Sequence, residues 1–263
     1  MRRPGAETPL QIAMPELRIH ARLFRSINSC LLLLLACALL ISVSCGSSAP
    51  DKSIVAPSTP RILLPAEEVI ERSQMTMDAL NTFSFELTHE KGATLLPGGF
   101  EIHESDGIVS APDKVALTAK ATFSGLFVDI EAVIFPEVTH MTNPLTGNWN
   151  QLHGDESPFA VFNPPGLISD ILSEITTVKF SEGSDSNQHP IKLEGQLPAF
   201  AMRNLVGGTD PDKVLSYSME IDSEFRLLSV ELTGVIRTGE AINVQRTIAL
   251  GDFDVPVTIE SPI

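Results

Sequence analysis

The sequence predicts an α+β fold: a large antiparallel β-sheet with its helices gathered on the apolar face. Three observations predict it. About ten stretches alternate apolar and polar residues, the pattern of strands with one buried face. Short turns join successive stretches, which demands antiparallel neighbours. Two or three segments instead keep helical spacing and present a single apolar stripe, so they cover one face of the sheet.

The elements follow in order. Ala66 to Leu80 reads as a helix, with Val69, Ile70, Ser73, Met77 and Leu80 near helical spacing and Glu67 and Glu68 in the first turn. Phe83 to Glu90 alternates as a half-buried strand through Phe83, Phe85 and Leu87. Leu96 to Gly99 turns the chain, Phe100 to Ser105 is a short strand, and Asp106-Gly107 is a second turn signal. Leu117 to Phe123 alternates again, and Ser124-Gly125 turns into the most apolar strand, Phe127 to Phe135. Val138 to Asn143 is a further strand, and Pro144 to Gly147 turns towards Trp149. Asn163-Pro-Pro-Gly166 breaks the strand pattern, and Leu167, Ile168, Ile171, Leu172 and Ile175 mark one face of an amphipathic helix. Strands resume at Val178 to Phe180 and Ile191 to Leu197, and a short helix fits Pro198 to Val206. The last third alternates through Leu215, Tyr217, Met219 and Ile221, then Leu228, Val230 and Leu232, then Ile242, Val244, Ile248 and Leu250.

Upstream of this domain, Arg18, Arg22 and Arg25 precede the apolar run Cys30 to Val43. At about 14 residues it is shorter than the roughly 20 a spanning helix needs, and it fits the apolar region of a signal peptide. The run ends Ser42-Val43-Ser44-Cys45, which resembles a bacterial lipobox, although Ser42 stands where that pattern has leucine. Cleavage before Cys45 and acylation of its thiol, with palmitate or a similar chain, is the preferred reading. An ordinary signal peptide and an uncleaved anchor are the alternatives. The start is Met1 or Met14, the second giving a more typical n-region. Gly46 to Pro65, rich in Ser, Pro and Ala, reads as a flexible linker. The expected organisation is a signal peptide over 1–44, a lipidated cysteine and linker over 45–65, and a folded domain over 66–263.

Net charge and cysteine usage narrow the function. The chain carries a formal charge of −15, and removing the arginine-rich leader makes the remainder more acidic. Such a surface repels nucleic acid and anionic head groups, so nucleic acid is not an expected partner and a covalent lipid would be the main membrane tether. Two or three acyl chains hold where one does not. Of the three cysteines, Cys30 and Cys37 fall in the leader and only Cys45 follows it. The domain therefore folds on its hydrophobic core without a disulfide.

Catalytic and cofactor signatures are missing from the sequence: no nucleophile elbow, zinc-protease helix, dinucleotide loop, P-loop or calcium loop is present. His89, His103, His140, His153 and His189 each stand alone among polar or turn residues. Asp252 and Asp254 share a strand face and read as a solvated edge, and Asp210 and Asp212 sit in a turn. The expectation is a binding module with no catalytic residue, no metal and no cofactor.

From Ala66 onwards the chain resembles the LppX/LprG-type (LppX/LprAFG) bacterial lipoprotein family. The resemblance is carried by the order of several stretches. These are the lipobox cysteine and linker, the first helix running into Phe83–Glu90, and Gly107-Ile-Val-Ser-Ala-Pro-Asp-Lys-Val115. Trp149 follows, then the helix Leu167-Ile-Ser-Asp-Ile-Leu172, the strand Ile191–Gly195, and Leu215–Ile221 leading into Asp222. Met219-Glu-Ile-Asp222 departs from the Trp-Ile-Asp often found there.

The resemblance implies a half-barrel sheet of LolA-like architecture with helices on its concave face and an apolar cavity between. It implies a lipid-anchored protein on the outer face of the cell membrane. Such a protein binds acyl chains of lipids or glycolipids and carries them outside the cytoplasmic membrane, with a lipid exporter as the protein partner to look for. The lining expected on this reading is Phe85, Leu117, Phe127, Ile130, Ile134, Leu167, Ile171, Leu172, Tyr217, Met219 and Val230. Read from alternation alone, the same residues fit an ordinary packed core. The rival functions are an RseB-like sensor or interaction module regulating a membrane partner, and an extracytoplasmic hydrolase.

Overall fold

The computed structural model describes residues 63–263. The expected signal peptide, Cys45 and most of the expected linker lie outside the described residues.

Helix α1 (Ala66–Asp78) follows Pro65 and carries Glu67 and Glu68 in its first turn, where the helix dipole favours acids. Ala66, Val69, Ile70, Ser73 and Met77 form its buried face. Near its end the Met77 Sδ accepts from the Leu227 N–H at 3.3 Å, which ties the helix to the sheet beneath it.

The strands are β1 (Thr82–Lys91), β2 (Thr94–Leu95), β3 (Phe100–Ser110), β4 (Lys114–Phe123), β5 (Leu126–Ile134), β6 (Val138–Thr142) and β7 (Trp149–His153). After helix α2 (Pro164–Ser173) come β8 (Thr177–Phe180) and β9 (Ile191–Pro198). Then follow helix α3 (Arg203–Val206), β10 (Val214–Ile221), β11 (Leu227–Thr233) and β12 (Gln245–Gly251). All pair in one 12-stranded sheet in the order β7-β6-β5-β4-β3-β1-β12-β11-β10-β9-β8, with β2 on β3. Each pairing is antiparallel. The first and last strands meet at the centre, and the sheet stays open between β7 and β8. The fold is thus the predicted α+β half-barrel.

Helix α2 starts where the sequence breaks the strand pattern. Asn163 caps it, its side chain accepting from the Gly166 N–H at 3.2 Å, and Pro164 and Pro165 occupy the first turn, positions where a missing N–H costs nothing. Leu167, Ile168, Ile171 and Leu172 turn inward. Asp170, also buried, bonds the Arg203 guanidinium and accepts from Asn204 Nδ2 at 2.6 Å, so α2 and α3 are held as a unit.

Four local expectations change. Asp106-Gly107 is not a turn: β3 runs through it to Ser110. Gly107 pairs with Phe85, and a Cβ there would lie 2.8 Å from the Phe85 ring and 2.5 Å from the Ala116 carbonyl oxygen. The glycine makes room for a neighbouring aromatic within the strand. Ile242 leaves the β12 face and is 79% exposed, because the strand begins only at Gln245. In β11 a register shift opposite Glu220 and Ile221 brings Leu227 into the core, and Leu228 is half-buried. Asp252 and Asp254 lie beyond β12 with positive φ. Asp254 accepts from the Asn81 N–H at 2.8 Å and holds the entry to β1.

Candidate functional site

Strand register sets up an apolar crevice on the inner face. Phe85 stands opposite Leu250 on one side and Gly107 on the other, and Gly107 faces Leu117. One residue pair along, Leu87 stands between Ile248 and Ser105. Two adjacent rows of side chains thus form a floor across β12, β1, β3 and β4. Helix α2 lies over them with Pro164, Leu167 and Ile168, and Leu205 of α3 closes one side. Phe159 and Phe162, from the segment before α2, complete the roof. The Phe162 ring meets Phe85 edge-on at 5.5 Å and Phe159 at 6.5 Å, the geometry that aromatic quadrupoles prefer. The remaining void is about 30 Å³, room for about one or two waters. The crevice is filled by the protein's own aromatic side chains.

Of the residues expected to line a cavity, Phe85, Leu117 and Leu167 meet here. Ile130, Ile134, Ile171, Leu172, Tyr217, Met219 and Val230 are buried in the same continuous core but do not line the crevice. Phe127 faces the other way and is 86% exposed. It sits an odd number of residues from Ile130, so the two-residue period of a strand places them on opposite faces. Phe159 and Phe162 were not among the expected residues. Their only trace in the sequence is a pair of phenylalanines three apart before Asn163-Pro-Pro.

A buried polar network adjoins the crevice. Thr94, fully buried, belongs to its lining. The neutral His89 tautomer that donates from Nδ1 to the His103 carbonyl (2.7 Å) accepts at Nε2 from the Thr94 hydroxyl (2.8 Å). His89 in turn pairs across the sheet with Arg246 of β12. Arg246 is 0% exposed and donates from Nη2 to both Glu240 oxygens at 3.0 and 3.1 Å. The Ile236 N–H donates to the same carboxylate at 2.8 Å. Alternation along β12 places Arg246 on the inward face with Ile248 and Leu250, and that pattern was the signal available for it in the sequence.

Burial pulls the His89 imidazole from 6.5 to about 4, the Arg246 charge adds to the effect and the bond to the His103 carbonyl opposes it. Between these two values the unfolded chain binds more protons than the folded one. Stability should therefore fall as pH drops from about 6.5 towards about 4, by up to one proton's worth of slope. Urea midpoints measured across that window should flatten in His89→Gln; an unchanged slope in the variant would assign the pH dependence to other groups.

Among the described residues no group of three or more His, Cys, Asp or Glu side chains is placed to hold a metal ion, and no helix is long and apolar enough to cross a membrane.

No family model matches the chain, and no curated protein matches its sequence. Solved structures do match. LprF from Mycobacterium bovis aligns with a TM-score of 0.55 at 14% identity, over 75% of this chain and 96% of that one. The Mycobacterium tuberculosis lipoprotein LppX aligns with a TM-score of 0.49 at 14% identity, over 74% of this chain and 98% of that one. With LprF the likeness is one of fold: an open antiparallel half-barrel with helices on its inner face.

Proposed function

We propose that this protein is a membrane-anchored lipoprotein that holds acyl chains of lipids or glycolipids between its sheet and helix α2. In this reading it carries or transfers them outside the cytoplasmic membrane and has no catalytic residue. The observation that carries the proposal is the crevice itself: an almost wholly apolar space between sheet and helices, roofed by two phenylalanines from an irregular segment. An acyl chain leaving a bilayer loses about 0.8 kcal/mol of burial per CH₂, and a lining of Phe, Leu and Ile replaces it without demanding one exact shape. Ligand pockets run to about 300–1,000 Å³, far above the present void. A chain therefore enters as Phe159 and Phe162 withdraw, with the α2–α3 unit moving as one.

Cys45, outside the described residues, would bear the lipid anchor, and the linker over 45–65 would keep the domain within reach of the bilayer. The full chain is expected to partition with membranes and, after gentle extraction, to carry acyl lipid in native mass spectrometry. Cys45→Ala should leave the domain folded and move it to the soluble fraction. A wild-type protein without lipid under these conditions would sink the binding reading. A Cys45→Ala protein that still sediments with membranes would sink the anchor.

A further inference from the structure

Next to the crevice, behind Thr94 and Ile248 of its lining, the inner face carries donors that the fold does not use. Arg246 lies two residues along β12 from Ile248, on the same face, and the register pairs Ile248 with Leu87 of the crevice lining and Arg246 with His89. His89 is hydrogen-bonded to Thr94, itself part of the lining. The guanidinium uses Nη2 on Glu240. Its Nε and Nη1, buried as well, find no acceptor among the described residues. Buried N–H groups are nearly always paired, and an acceptor that can reach this place along the crevice would satisfy them.

Charge decides the kind of acceptor. Glu240, fully buried with Arg246, already balances the guanidinium. His89 is uncharged near neutral pH. An arriving carboxylate or phosphate would leave one buried negative charge in excess, which is costly in a low-dielectric site. An uncharged oxygen meets the donors without that cost.

We propose that Arg246 is the polar anchor of the crevice and receives the ester carbonyl of an acyl lipid at Nε and Nη1, while the chain lies along Ile248, Leu250 and Phe85. This rests on the acyl-binding reading above and narrows it to neutral acyl esters in preference to free fatty acids.

Delipidated full-length protein, offered methyl palmitate, palmitate and hexadecane in separate titrations read by native mass spectrometry, tests the assignment. Wild type should favour methyl palmitate over each of the others by about tenfold, the scale of one hydrogen bond from a charged donor. Arg246→Lys keeps a cation for Glu240 but removes Nε and Nη1, and its ester-to-hexadecane ratio should fall towards one. An unchanged ratio in a folded Arg246→Lys protein, or a wild type that prefers palmitate, overturns the assignment. So does a wild type that takes ester and hexadecane equally, whether or not the variant folds; ordered water then occupies the donors. Uptake of none of the three overturns acyl binding itself, and this inference with it.

Discussion

Gly195→Ala is expected to destabilise the fold by about 3 kcal/mol and to release β8 from the edge of the sheet. A Cβ on Gly195 would lie 1.8 Å from the Thr177 carbonyl oxygen and 2.7 Å from its carbon, both backbone atoms. It would also come within 2.9 Å of the Tyr217 hydroxyl. The close approach has a structural cause. Gly195 sits between Val178 of β8 and Tyr217 of β10, and the Tyr217 hydroxyl reaches across it to donate to the Thr177 carbonyl at 3.1 Å. One methyl group therefore meets both the edge strand and the side chain that fastens it. Overpacking of this kind costs about 1–3 kcal/mol when side chains can adjust, and here the obstacle is backbone, so the upper end applies. Because β8 is only four residues long and ends the sheet, it yields before its neighbours. Hydrogen exchange should show faster amides in Thr177–Phe180 and in the facing half of β9, and the urea midpoint should drop. Gly208→Ala is the control: no atom stands within 4 Å of its Cβ position and its φ is ordinary, so its midpoint should hold. A Gly195→Ala midpoint equal to that of the control would refute the close-approach account.

The sheet and its three helices are legible because alternation and helical spacing report burial directly. Phe85, Leu117 and Leu167 could be picked for the crevice on that basis. Phe127 lies on a strand with apolar residues on both faces, where composition is ambiguous and only parity with Ile130 decides. Asp106-Gly107 carries a strong turn signal, yet the glycine answers to the Phe85 ring on the next strand, a contact no local window contains. Leu227 replaced Leu228 in the core because a bulge shifts the register, and bulges leave little trace in a single sequence. Phe159 and Phe162 lie in an irregular segment, where no period links a residue to a face. Arg246 is the instructive case. The alternation of Val244, Arg246, Ile248 and Leu250 pointed it inward, and its charge argued outward. Its partner Glu240 lies in the preceding loop, where spacing says nothing about contact.

That pair supplies the largest expected effect. Arg246→Met keeps side-chain bulk but leaves the Glu240 carboxylate buried, with the Ile236 N–H as its remaining donor. Breaking a buried ion pair from one side typically costs about 3–5 kcal/mol, because the surviving charge is stranded. Cutting any of the exposed pairs Lys120–Glu104, Lys179–Glu194 and Lys192–Glu220 should leave the urea midpoint nearly unchanged, since water and salt screen them. The contrast separates a stranded charge from a lost attraction. Burial works against the charge on Arg246 and the Glu240 carboxylate holds it there, so neither partner is comfortable alone. Replacing both, as Arg246→Met with Glu240→Leu, should recover most of the loss, because an apolar pair of similar volume needs no compensation. Urea unfolding of the two single variants and the double variant closes the cycle. If the double variant is as unstable as Arg246→Met alone, the penalty comes from lost anchoring of the loop that carries Ile236 and Glu240, and the stranded-charge account fails. If the double variant recovers stability yet no longer prefers methyl palmitate over hexadecane, the pair is kept for its ligand and not for the fold.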